Sequence, residues 1–233
     1  MVKNHMKRLT APRTWRILRK EETFVTRPSP GGHSMELAVS LNTFLKENAK
    51  VSNTTKETKY LLTKQSVNVN GKKKRDFKHQ AGFLDVISMP GQDKHFIVTL
   101  DRKGKIVAKQ ISKSDANKTL SRIINKTPVK NKKLQLNLMN GMNILVDEKQ
   151  AKDYKPGDSL IISIPGNKVE KHIKLEKDSK AIVFLGKHSG THGEIKEIDV
   201  DTVTIKAGKE TFETKKEYVL VTGKDKPEIN IEA

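Results

Sequence analysis

Cysteine is absent from the 233 residues, which excludes disulfide frameworks, thiolate nucleophiles and Cys-ligated zinc at once. Aromatic residues make up only 5%, with a single tryptophan, so the folded parts are expected to be small and thinly cored. No stretch approaches the roughly 18 uninterrupted apolar residues of a membrane span. The opening run MVKNHMKRLTAPRTWRILRK lacks the apolar centre of a secretory signal, and Pro12 breaks any amphipathic presequence helix early. A cytoplasmic address is the default expectation. Positive charge is what the chain has in excess: 46 Lys+Arg stand against 27 Asp+Glu, a balance of +19. Leu, Ile, Val and Phe together number 60, about 26% of the chain, above the roughly 20% below which a highly charged chain does not bury enough apolar surface to fold.

The charge is segregated. Residues 1–20 carry seven bases and no acid, and Lys72-Lys73-Lys74-Arg75 follows an Asn-Gly pair. Residues 101–133 hold eleven bases and two acids, whereas residues 194–233 hold ten acids and seven bases. Blocks of like charge destabilise a compact state unless a polyanion neutralises them. RNA or DNA does so and releases condensed counterions as each cation meets a phosphate. Any single run also reads as a solvated surface; the whole pattern points to nucleic acid.

Along the chain, the first 34 residues or so are polar and basic, ending near Arg27-Pro28-Ser29-Pro30-Gly31-Gly32, and read as an extended arm. Trp15, flanked by Arg13 and Arg16, suits stacking on an unpaired base and equally suits a plug against the next domain. From Met35, Leu37, Ala38, Leu41, Phe44 and Leu45 fall at helical spacing. Thr54-Thr55-Lys56-Glu57 has the form of a capping box, opening a helix with Tyr60, Leu61 and Thr58 inward and Lys56, Lys59 and Lys64 outside. Val67-Asn68-Val69 alternates as a strand, Asn70-Gly71 signals a hairpin, and a basic strand returns. Phe83–Ile87 is a further strand.

Beyond Leu100 the pattern is mostly strands: 95–100 and 106–111 around the turn at 101–104, then 134–138, 144–146, 159–164, 181–185, 194–198, 202–206 and 218–221. A short helix is expected near 114–122. Short strands at this spacing indicate a barrel or sandwich. No long fixed-period repeat is present.

The most specific local feature is Gly186-Lys187-His188-Ser189-Gly190-Thr191-His192-Gly193, set between two strands. Its glycines permit positive φ and close backbone approach, and Lys187, His188, Ser189, Thr191 and His192 all suit phosphate or 2′-hydroxyl oxygens. The spacing resembles the KOW motif of ribosomal proteins and transcription-elongation factors; the bland reading is that the glycines shape a barrel corner. Enzyme readings fare worse. The glycines around Ser189 sit at the wrong offsets for a nucleophile elbow. His188 and His192 are four apart but not on a helix, and no phosphate-binding glycine loop occurs. Carboxylates are scattered, with no pair set for acid/base work. No catalytic or metal site is expected, and no cofactor.

Over nearly its full length the chain resembles the S-four-e family of small-subunit ribosomal proteins. The run His5, Lys7-Arg8-Leu9, Ala11-Pro12, Trp15, Arg27-Pro28-Ser29, Gly31 and His33 is similar to that family's opening segment. Thr54 to Asp76 resembles its S-four-type RNA-binding module, Gly82–Ser88 the stretch after it, and the 186–193 loop stands where the family carries its KOW segment. Gln65 departs from the family, which has Gly ending the second helix, and Ser40 replaces a usual Pro. The long basic tail of many eukaryotic members is absent.

The expected fold is therefore α+β and multi-modular: a basic extended arm (1–36), a small α+β RNA-binding module (37–100), a β-rich central domain (101–170) and a KOW/SH3-like β-barrel (171–233). The resemblance implies a structural constituent of the small ribosomal subunit, on the cytoplasmic ribosome, whose partners are ribosomal RNA and neighbouring ribosomal proteins, with no membrane and no small-molecule substrate. The RNA-binding residues it implies are Lys7, Arg8, Arg13, Trp15, Arg16, Arg19, Arg27 and His33 in the arm, Lys56, Lys59, Lys64, Lys72, Lys73, Lys74 and Arg75 in the module, and the five polar side chains of the glycine loop. The alternative is a non-ribosomal RNA-binding accessory factor of transcription or ribosome assembly.

Overall fold

The computed structural model describes residues 5–130, 133–147, 152–208, 210–224, 227–229 and 231. Lys3 and Lys132 of the two basic runs, and positions 230, 232 and 233 of the acidic end, lie outside them. The chain folds into two compact units: residues up to Thr99 with Lys105–Asn117, and Leu100–Gly104 with Lys118 onward. It is β-rich, with few helices.

In the first unit the expected extended arm is instead folded. Strands β1 (Met6–Lys7) and β2 (Phe24–Val25) pair antiparallel. Trp15 is 1% exposed, donates Nε1–H to the Met35 carbonyl at 3.0 Å, and makes a parallel bridge to Ile106. Truncating a buried tryptophan costs on the order of 3–5 kcal/mol, one part of what offsets the chain entropy of this segment.

Strand β3 (Ala38–Ser40) precedes α1 (Leu41–Thr43), which continues as a π-helical turn, Phe44–Asn48. Helical spacing from Met35 overran this boundary. Ser40 caps the helix, its Oγ accepting from Thr43 N at 3.2 Å, so Ala38 lies in a strand. Helix α2 (Thr55–Tyr60) runs on as a π-helical turn, Leu61–Gln65, and the left-handed residue ending it is Ser66 (φ 59), one beyond Gln65.

Next come β4 (Val67–Val69), β5 (Lys72–Lys74), β6 (Gln80–Gly82), β7 (Val86–Met89), β8 (Lys94–Leu100) and β9 (Ile106–Gln110). They form a sheet in the order β5-β4-β7-β8-β9, while β6 pairs with β3. Of the strand expected at 83–87 only Val86 and Ile87 are strand, the start of β7, because Leu84 takes φ 67 and turns the chain between β6 and β7. Leu41, Phe44, Leu45, Leu62, Ile87 and Ile97 are fully buried between helices and sheet, with Phe44 edge-on to Phe96 at 6.4 Å.

The second unit carries two five-stranded sheets. The first comprises β10 (Lys118–Val129), β11 (Lys133–Leu138), β12 (Asn143–Asp147), β13 (Ser159–Ser163) and β14 (Val169–Ile173) in the order β12-β11-β10-β13-β14. The helix expected near 114–122 is a single 3₁₀ turn, Asp115–Asn117, followed by strand. Lys118–Arg122 instead complete a ladder with β13, and after the break at Ile123/Asn125 the same strand pairs with β11. Ile123, Leu136, Leu138, Val146, Leu160 and Ile162 form this sheet's core.

The second sheet has β15 (Lys180–Val183), β16 (His192–Ile198), β17 (Thr202–Ala207), β18 (Glu210–Lys215) and β19 (Val219–Gly223) in the order β18-β17-β16-β15-β19. After a 3₁₀ turn at Lys216–Tyr218, β19 returns to pair with β15, where the chain began the meander. Strand β18, Glu-Thr-Phe-Glu-Thr-Lys, escapes sequence reading because it is an edge strand with only Phe212 apolar.

Candidate nucleic-acid interface

Helix α2 opens on the capping box that its sequence signals. Thr54 Oγ1 accepts from Glu57 N at 3.2 Å, and Glu57 Oε2 accepts from Asn53 N at 2.7 Å and Thr54 N at 3.4 Å. The Asn53 amide, followed by those of Thr54, holds the exposed Glu57 carboxyl below its ordinary pKa. With its start settled, the helix turns Thr58, Leu61 and Leu62 inward and leaves Lys56, Lys59 and Lys64 exposed. Tyr60 is outward too, 58% exposed, contrary to the inward position expected from spacing. Thr58 and Leu61 are buried as the spacing predicts, the Thr58 hydroxyl 2.8 Å from that of Ser52. Lys56 and Tyr60, at i and i+4, share a face.

Asn70 (φ 48) and Gly71 (φ 74) make the left-handed pair that a two-residue hairpin requires. Val67 and Val69 point into the core, while Lys72, Lys73 and Arg75 are exposed and Lys74 is half-buried. Strand β5 is the edge of its sheet. A lysine-rich edge repels a further strand, and its cations alternate between the two faces of the sheet. Lys59 Nζ stands 4.6 Å above the Phe77 ring, which joins the α2 cations to the segment leaving β5. Lys78, also exposed, lies 5.9 Å from the same ring. Tyr60 and Lys78 are the members of this surface that sequence reasoning missed; the i, i+4 relation to Lys56 was the available signal for Tyr60.

A buried carboxylate anchors the basic hairpin. Asp85, 4% exposed, accepts from Asn70 Nδ2 at 2.7 Å, Gly82 N at 2.8 Å and His33 Nε2 at 3.1 Å. Asn70 Oδ1 accepts from Val86 N at 2.9 Å, so the turn residue is latched on both polar atoms. Burial opposes charge on both partners, but their mutual attraction prevails: the His33 pKa lies above its ordinary value. That of Asp85 lies below its ordinary value, helped by His33, Gly82 and Asn70. Gly82 is indispensable to this contact, since a Cβ there would lie 2.2 Å from the His33 ring.

The arm divides between surface and interior. Lys7, Arg13 and Arg16 are exposed, and Arg27 is half-buried. Arg8 is turned inward at 3% exposure, its Nη2 meeting Glu47 at 2.6 Å and Glu22 at 3.0 Å. Burial weighs against the guanidinium, yet those carboxylates raise its pKa further. Arg19 donates back to the Ala11 and Pro12 carbonyls at 2.8 and 2.7 Å. Of the residues expected to meet RNA here, Arg8, Trp15 and His33 are therefore turned into the protein: Trp15 is the plug, not the stacking platform.

In the glycine loop, Gly186 (φ +87) and Gly190 (φ +86) need left-handed backbone, and a Cβ on Gly190 would sit 1.9 Å from the Asp101 carbonyl oxygen. Gly190 N donates to Val183 O at 2.7 Å and Ser189 Oγ to Phe184 O at 3.1 Å. His188 stacks on Phe212 with centroids 4.0 Å apart. Lys187 is exposed; Thr191 and His192 are half-buried. Among the described residues no group of three or more His, Asp or Glu is arranged to hold a metal ion, and no helix is long and apolar enough to cross a membrane.

Residues 92–169 match the model of ribosomal family S4e, and residues 2–36 match the RS4NT (NUC023) domain. Small ribosomal subunit protein eS4 of Methanococcus maripaludis strain S2 is 36% identical over 241 residues, covering 98% of both chains. The protein of the same name from Methanocella arvoryzae is 37% identical over 235 residues, again 98% of each. The crystal structure of 30S ribosomal protein S4e from Thermoplasma acidophilum superposes with a TM-score of 0.70 at 27% identity, covering 81% of this chain and 96% of that one.

Proposed function

The chain belongs to ribosomal family S4e, and from that membership we propose that it is a structural constituent of the small ribosomal subunit, binding ribosomal RNA and neighbouring ribosomal proteins in the cytoplasm. The observation that carries the RNA reading is the cluster of cations on the β5 edge, continued through Phe77 to Lys59 on α2 and tethered by the buried Asp85–Asn70 latch. Ammonium and guanidinium groups clustered on a tethered hairpin meet phosphates with little reordering of the backbone. Residues 37–100 act as the S-four-type module. Lys56, Lys59, Lys64, Lys72, Lys73, Lys74 and Arg75 meet phosphates, Tyr60 supplies a stacking face, and shape and 2′-hydroxyls provide specificity. Lys7, Arg13 and Arg16 of the folded N-terminal segment extend the basic surface. The β15–β19 meander acts as the KOW/SH3-like barrel of residues 171–233, with Lys187 at the tip of its glycine loop. The role is binding, not catalysis.

Filter binding of a small-subunit RNA transcript across a salt series tests this. Replacing Lys72–Arg75 together by Ala should make the log K against log[salt] slope shallower by about two to three, the weight of roughly three to four phosphate contacts. An unchanged slope refutes the assignment. Sedimentation of cell extract separates the accessory-factor alternative: a subunit constituent stays on small subunits through a high-salt gradient, and an accessory factor washes off.

A further inference from the structure

A groove of about 470 Å³ lies in the first unit between the folded N-terminal segment and the two helices, a size that suits one small ligand. Two aromatic rings border it: Phe24, 55% exposed, and Phe77, half-buried. The His5 ring stands 5.8 Å from Phe24. Arg8, Arg27, Lys46 and Lys78 line it against Glu22 and Glu47, four cations to two anions. Both carboxylates are already engaged by Arg8, at 3.0 and 2.6 Å. Lys46 also lies 3.9 Å from Glu22.

Asn42 lines the same groove and is 4% exposed. Its Nδ2 donates to Thr26 Oγ1 at 2.7 Å and Thr55 Oγ1 at 3.3 Å, while its Oδ1 has no hydrogen-bond partner among the described residues. Threonine hydroxyls donate as well as accept, so turning the amide over only exchanges which of its atoms is left over. A buried polar atom without a partner costs stability and is rarely retained. Here the residue that carries it lines the groove.

The geometry points to this groove as the seat of one unstacked ribonucleotide: its base lies against the Phe24 and Phe77 rings with a polar edge at Asn42, and its phosphate sits beside Arg27 and Lys78. A nucleobase uses every feature at once, because its π-face stacks, its edge carries hydrogen-bonding groups and its phosphate meets the cations. An acidic peptide would use the cations alone. The inference rests on the RNA-binding reading above and adds that one nucleotide of that RNA leaves its stack to enter the protein.

The test irradiates the full chain bound to a small-subunit RNA transcript containing 4-thiouridine and identifies nucleotide–peptide adducts by mass spectrometry. Adducts on the Phe24 or Phe77 peptide at one unpaired position are expected. Phe24→Ala should abolish them and weaken binding of a labelled single-stranded heptaribonucleotide about tenfold, and Phe24→Tyr should restore both. Phe24 is largely exposed, so the urea midpoint followed by Trp15 fluorescence should not move. If the wild-type chain retains the transcript but forms no adduct in the groove, and Phe24→Ala leaves heptamer binding unchanged, the nucleotide seat is overturned while the ribosomal reading stands. A wild-type chain that does not retain the transcript sinks both. Displacement of the heptamer by polyglutamate but not by unlabelled RNA would give the groove to an acidic peptide and overturn the proposal.

Discussion

Replacing Asp85 by Asn tests the physical basis of the basic hairpin's placement. The carboxylate takes three donors, from Gly82, Asn70 and His33, at 2.8, 2.7 and 3.1 Å. An amide offers one acceptor oxygen, so its NH₂ must face at least one of those donors, and His33 loses its counter-charge at 5% side-chain exposure. Removing one partner of a buried pair costs about 3–5 kcal/mol. Urea denaturation of the full chain, followed by the fluorescence of buried Trp15 in the same unit, reads the loss as a lower midpoint. The pH dependence carries a second signature. His33 has a raised pKa in the folded state, so its contribution is complete below its unfolded value, about 6.5, and fades as pH climbs through the folded value. Asp85 has a lowered pKa, so its contribution is complete above its unfolded value, about 3.9, and fades as pH falls through the folded one. The pair is therefore at full strength between about pH 4 and 6.5. Wild type should be more stable at pH 6 than at pH 9, and Asp85→Asn should remove that difference. A variant with the wild-type midpoint and an unaltered pH profile would refute the reasoning.

Two further outcomes follow from single side chains. Tyr60→Ala should weaken transcript binding about tenfold, the scale of one lost base stack, with the urea midpoint unmoved because the ring is 58% exposed; equal affinity in a filter-binding titration would remove Tyr60 from the interface. Gly190→Ala should destabilise the second unit by at least about 2 kcal/mol, through left-handed backbone and an overpacked contact, since its Cβ would meet the Asp101 carbonyl oxygen at 1.9 Å. Hydrogen exchange of the β15 and β16 amides is the measurement, and unchanged protection would contradict it.

Much of the candidate interface was legible in one dimension because its signals are local. The capping box, the Asn-Gly turn and the basic strand behind it each depend on residues within a few positions of one another, and each stands where its spacing puts it. The strands with alternating leucines, such as Leu134, Leu136 and Leu138, are visible for the same reason. Less legible were elements whose state is decided by distant partners. Ala38 reads as helical until β6 supplies a ladder for it, and Lys118–Arg122 read as helix until β13 does. Strand β18 carries almost no apolar signal and exists because β17 offers an edge.

The amino-acid order alone determines where cations accumulate, where the chain turns and which stretches alternate, since charge, proline, glycine and side-chain periodicity are properties of neighbours along the chain. Which of those cations face outward is decided only in three dimensions. Arg8 is consumed by Glu47, 39 residues away, Trp15 is covered beside Ile106, and Tyr60 is released to solvent. A side chain's direction is set by the groups the fold brings to meet it, and those groups lie far off in sequence.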